Sequence, residues 1–138
     1  MASQPRAFDC EKPAGDHKKI LQPLVSTDLL EADVQAVREG GANTLHYHTG
    51  QDGLFVVLEG AARFYGNEDD VLAELDEQEG IVIPHGTEYW FESAGTDPLH
   101  LLHVAAISET TDDERVTVVA GESATTHVEG ERSEDVST

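Results

Sequence analysis

Gly40-Gly-Ala-Asn-Thr-Leu-His46-Tyr-His48-Thr-Gly-Gln-Asp52-Gly-Leu-Phe-Val-Val-Leu-Glu-Gly60 is the stretch on which the reading of this 138-residue chain turns. His46 and His48 are two residues apart, and on an extended strand alternate side chains leave by the same face. Thr44, His46 and His48 therefore share one face, and Leu45 and Tyr47 the other. A glycine-containing turn from Thr49 to Gly53 leads into an apolar run, Leu54 to Leu58, which reads as a buried strand closing at Glu59-Gly60. Two imidazoles on one strand face make half of a transition-metal site. The alternative is a pair of pocket imidazoles that bind substrate in a site without its metal.

Working outward, the same rhythm of short apolar runs and turns continues. Ala61–Tyr65 and Val71–Leu75 flank a solvated hairpin loop at residues 66–70, and an acidic turn follows at residues 76–80. Ile81-Val82-Ile83 ends at Pro84-His85-Gly86. Tyr89–Ser93 alternates, and Leu99–Ile107 is the longest strand candidate. Upstream, Leu30–Arg38 contains helix formers, yet it is short and stops at Gly40-Gly41, which predicts a strand entering the histidine strand. Ile20–Val25 carries Pro23 and predicts an edge strand, because proline donates nothing to a central ladder. Strands of this length with no convincing helix predict an all-β sandwich or jelly-roll barrel. The expected organisation is a flexible arm over residues 1–19, one domain over 20–107 and an acidic tail over 108–138. Within that tail residues 116–120 could add one edge strand, for instance to a partner subunit.

The chain has 28 Asp and Glu against 8 Lys and Arg, a formal charge of −20. Such a field repels nucleic acid and anionic membranes, so neither is an expected partner. Lysine occurs only at Lys12, Lys18 and Lys19. The composition resembles that of haloarchaeal proteins, which stay soluble in concentrated salt because screening removes self-repulsion. An ordinary acidic protein with a disordered tail is the other reading. Cys10 is the single cysteine, so no intrachain disulfide forms. No apolar run reaches membrane-spanning length and no apolar signal core is present, which together predict a cytoplasmic protein.

Gly40, His46, His48, Asp52 and Gly60 resemble the first motif of the cupin superfamily. Gly80-Ile-Val-Ile-Pro84-His-Gly86-Thr-Glu-Tyr89 resembles the second. The resemblance spans residues 30–107. It implies a small single-domain cupin, a jelly-roll β-barrel of two antiparallel sheets, assembled as a homodimer. The superfamily includes dioxygenases, isomerases, epimerases, decarboxylases and plain binding proteins, so fold alone does not choose a reaction. The implied function is a barrel that binds zinc, iron, manganese or nickel and acts on, or binds, a small polar organic molecule, as an oxygenase or isomerase-type enzyme. The alternative is a metal-free binding or sensor cupin.

Two departures from the pattern bear on chemistry. The family's glutamate ligand is missing: counting back from Gly60 reaches Gly53, and counting forward from His48 reaches Asp52. A bulge at Gly53 would deliver Asp52 to the ligand position. The second motif's histidine is replaced by Tyr89, which is expected to serve as an acid or hydrogen-bond donor. His103 lies on the apolar face of Leu99–Ile107 and is the candidate third nitrogen ligand, or else a core histidine bonded to a hydroxyl such as that of Tyr89. The expected metal set is thus His46, His48, Asp52 and His103. Arg63, Tyr65, Tyr89 and Phe91 are the expected substrate-binding residues, with a surface ion pair as the competing role for Arg63. His17, His85, His100 and His127 are expected to be exposed bystanders.

Overall fold

The structure is a computed structural model and describes residues 4–118. Ten strands follow one another: β1 Lys19–Ser26, β2 Leu30–Val37, β3 His46–His48, β4 Gln51–Glu59, β5 Ala62–Tyr65, β6 Val71–Leu75, β7 Gly80–Ile83, β8 Trp90–Ser93, β9 Leu99–Ile107 and β10 Arg115–Thr117. One short 3-10 turn, Asn67–Asp69, sits in the β5–β6 loop, and there is no α-helix among the described residues. No helix there is long and apolar enough to cross a membrane. Residues 119 and 120 of the expected 116–120 strand, the rest of the acidic tail and His127 lie outside the described residues.

Every pairing is antiparallel. A five-stranded sheet runs β1-β2-β9-β4-β7, facing a three-stranded sheet β6-β5-β8 and a two-stranded ribbon β10-β3. A bridge joins the two smaller pieces, with His46 N–H donating to the Tyr89 carbonyl (3.1 Å) and Tyr89 N–H to that of His46 (2.9 Å). The layers form an open jelly roll rather than a closed barrel. Pro23 does lie on the edge strand β1. The Leu30–Val37 run is a strand as expected, but its neighbours are β1 and β9, not the histidine strand.

The core explains why the layers stay together. Phe55, Phe64, Phe91, Leu99 and Leu101 are fully buried between the sheets. Phe55 touches rings on the opposite layer, with centroids 5.1 Å from Phe64 and 5.7 Å from Phe91. Each such side chain contributes about 1.5–3 kcal/mol relative to exposure. One cross-strand row of the large sheet brings polar groups into this interior: Asp33, His103, Phe55 and Ile81 stand opposite one another on β2, β9, β4 and β7. Residues on directly opposed positions share a face, so a carboxylate and an imidazole enter beside the phenylalanine.

Residues 109–118 do not leave the domain. They fold back over the β3–β4 turn and pair through β10 with β3 of their own chain. Gly50 makes this approach possible, since a Cβ there would stand 2.5 Å from the Thr111 carbonyl oxygen.

Candidate functional site

Strand alternation puts His46 and His48 inward as expected: both are buried, while Tyr47 between them is partly exposed. Their ring centroids are 5.3 Å apart in an edge-to-face arrangement. Each ring is held by its Nδ1. His46 Nδ1 lies 2.6 Å from the Thr44 carbonyl oxygen, and His48 Nδ1 lies 3.0 Å from Asp113 Oδ2. A carbonyl or carboxylate oxygen only accepts, so Nδ1 carries the proton in both rings, and neutral imidazole then presents a bare lone pair at Nε2. Both Nε2 atoms are buried and have no hydrogen-bond partner among the described residues. Burial and the Arg115 charge hold His46 well below the ordinary histidine range, which keeps it neutral.

Asp113, which no sequence motif marks, anchors the returning segment to the site. Its Oδ2 faces His48, and its Oδ1 accepts the Gly50 N–H at 3.0 Å. Burial raises its carboxyl, but the hydrogen bonds from His48 and Gly50 outweigh that and hold it below the usual carboxylate range.

Tyr89 is buried against His46, with ring centroids 4.5 Å apart. Burial raises its phenol far above the ordinary range. Such a group keeps its proton, which suits a hydrogen-bond donor and opposes the role of acid.

His103 stands on the other layer, stacked on Phe55 at 4.6 Å. Its Nδ1 lies 3.3 Å from Asp33 Oδ2, and Asp33 Oδ1 accepts from Gln35 Nε2 at 3.3 Å. Its Nε2 is again buried and without a partner among the described residues. Asp33 and Gln35 are further site residues that the motifs do not include. Their sequence signal is a polar pair at alternate positions in the otherwise apolar Ala32–Val37 run.

The other expected site residues are elsewhere. Asp52 points outward, where its Oδ1 accepts from the His85 backbone N–H and lies 2.8 Å from His85 Nδ1. Those hydrogen bonds lower its carboxyl. The expected bulge at Gly53 does not form. From Gln51 to Val57 the register with β9 is unbroken, and the shift falls between Val57 and Glu59. The extra residue is absorbed at the far end of β4, so Asp52 keeps the outer face and Gly53 the inner one. Arg63 and Tyr65 also face outward, because Ala62 and Phe64 take the inner positions of β5. Arg63 Nε pairs with Glu74 at 3.0 Å, so the surface ion pair is the role seen. Tyr65 stacks on Trp90 and hydrogen-bonds Glu92. Phe91 is core, packed on Phe64 at 5.0 Å. His85 is exposed; His100 is largely covered beside Glu59 and is not the exposed bystander expected.

The two-layer β fold with an inward His-x-His strand defines the class. The family model described as "Cupin domain" matches residues 33–105. The chain belongs to the cupin family. Among solved structures it is similar to a Klebsiella pneumoniae protein with a double-stranded β-helix domain (16% identity, TM-score 0.66, 81% of this chain and 97% of that one). It is also similar to an RmlC-like cupin from Methanocaldococcus jannaschii (14%, 0.62, 77% and 94%) and to the Thermus thermophilus protein TT1209 (25%, 0.59, 66% and 85%). A comparison with curated proteins finds no match.

Family membership raises the question of a metal, and the donor set can be tested against it. The orphaned Nε2 atoms of His46 and His48 are suitable donors. The carboxylate position is Gly53, and the second-motif position is a buried phenol. Among the described residues no three His, Cys, Asp or Glu side chains form a group that could hold a metal ion. Catalytic metal centres generally keep three protein ligands. The donor set therefore does not fit the family's metal centre.

Proposed function

We propose that this protein is a ligand-binding cupin that holds a small polar organic molecule between its sheets without a metal centre. The observation that carries the reading is the pair of buried Nε2 lone pairs on His46 and His48, without a partner among the described residues and each fixed by a clasp on the opposite ring nitrogen. A buried acceptor left unpaired costs about 1–3 kcal/mol. A ligand donor placed between the rings recovers that energy, which gives binding its driving force and its selectivity. Tyr89, held protonated beside His46, supplies a donor for a ligand oxygen. Lacking three gathered ligands, the site supports binding better than oxygenase or metal-dependent isomerase chemistry.

The protein is further proposed to work as a homodimer in a salt-rich cytoplasm. The apolar pair Leu54 and Val82, opposed across β4 and β7 and 44% and 60% exposed, supports association. The acidic excess supports the salt-rich setting. Sedimentation at high KCl tests the dimer. The binding function is tested by a thermal-shift screen of small polyols, amines and carboxylic acids on chelator-treated protein. Compounds that raise the melting temperature should lose that effect in His46→Ala/His48→Ala. Stabilisation that survives the double substitution places the ligand elsewhere and defeats the proposal.

A further inference from the structure

Resting on that reading, we infer that Gly53 and His103 form a second recognition point for the same ligand, one that takes a hydroxyl or amine donor. Two independent features meet there. His103 is 1% exposed, and its Nε2 has no hydrogen-bond partner among the described residues although Asp33 clasps its Nδ1. Gly53 lies inside a β-strand with no positive φ to require glycine. A glycine in a strand interior weakens the strand, and it often marks a place where a ligand approaches closely.

The geometry connects the two. A Cβ built on Gly53 would stand 3.4 Å from His103 Nε2 and 3.4 Å from the Phe55 ring, ordinary contact distances. Alanine would therefore fit, so packing does not demand the glycine. What a side chain would do is occupy the space in front of the Nε2 lone pair. Glycine at this inner strand position leaves that spot without a side chain.

The Asp33–Gln35 arrangement defines the chemistry. Asp33 Oδ2 fixes the proton on His103 Nδ1, and Gln35 holds Asp33 Oδ1 in place. Nε2 is left to accept, and the carboxylate behind the ring increases its strength as an acceptor. A hydroxyl or ammonium group satisfies it; a carboxylate, which has no proton to give, does not. The ligand class is a polyhydroxy or amino-alcohol compound able to reach both layers.

The test is a nitrogen-15 NMR titration of the histidine ring signals in the full-length protein with three probes of similar size: propylene glycol, ethanolamine and propionate. The two donor probes should move the His103 Nε2 signal at lower concentration than propionate. Gly53→Ala, which keeps the melting temperature at or above that of the wild type, should weaken that response at least about tenfold. Gly53→Ser, whose hydroxyl can itself donate to Nε2, should abolish it. An undiminished response in Gly53→Ala overturns the inference. So do responses at His46 and His48 with none at His103, although the barrel-binding reading then stands. Silence at all three histidines defeats both.

Discussion

His48 and Asp113 are 65 residues apart in sequence, yet His48 Nδ1 and Asp113 Oδ2 stand 3.0 Å apart beneath the returning C-terminal segment. One carboxylate thus orients a site imidazole and also closes β10 over the histidine strand through the Gly50 N–H. Asp113→Ala should cost about 1–3 kcal/mol by leaving two buried donors unpaired. Asp113→Asn should restore part of that loss, since its amide oxygen can still accept. Because the folded carboxyl is held low, its stabilisation is present above the unfolded-chain value and is lost as pH falls through the folded one. Urea denaturation of wild type and Asp113→Ala should therefore converge in strong acid and diverge above about pH 4.

His46 gives a pH dependence in a separate window. Its folded value is pushed well below 6.5 by burial first, then by Arg115. Below 6.5 the unfolded chain takes a proton that the folded protein refuses, so stability falls as pH drops through that window and levels off below the folded value. The slope is at most about 1.4 kcal/mol per pH unit for one group. His46→Gln should remove it. An unchanged slope between neutral and mildly acidic pH would contradict the assignment of a buried neutral imidazole.

Much of the fold is legible in the sequence because it depends on local alternation. His46-Tyr-His48 and Leu99–Ile107 declare their faces by period two alone, and Pro23 declares an edge. The site is legible only in half. Asp113 and Asp33 reach their histidines across 65 and 70 residues, and nothing local to either carboxylate announces the partner. Asp52 departs from its expected place for a specific reason. Counting residues shows that β4 holds one too many, but only the register with β9 shows that the surplus is spent after Val57 and not at Gly53. Arg63 and Tyr65 do share one face, and which face depends on Phe64 joining the core.

The departures at Gly53 and Tyr89 can be reversed. Gly53→Glu/Tyr89→His puts a carboxylate on the inner face of β4 and an imidazole beside His46. The double variant should bind zinc or manganese with about one equivalent per chain, measured by equilibrium dialysis, because three or more protein ligands then converge. Failure to gain metal would mean that position 53 does not face the two histidines closely enough.

The charge makes its own prediction. With 28 acidic residues against 8 basic ones, self-repulsion weakens the compact state at low ionic strength. The Debye length shrinks from about 10 Å at 0.1 M salt to about 3 Å at 1 M. The thermal midpoint should therefore climb as KCl is raised into the molar range. A protein most stable in dilute buffer would overturn the salt-adapted reading.

The central claim is that His46 and His48 serve a ligand directly rather than through a metal. The most direct measurement is the metal content of tag-free protein, by elemental analysis, after equilibration with zinc, manganese, iron and nickel and removal of loosely held ions. The expected result is well under one equivalent of any metal, with no difference between wild type and His46→Ala/His48→Ala. One equivalent retained by the wild type and lost in the double variant would contradict it.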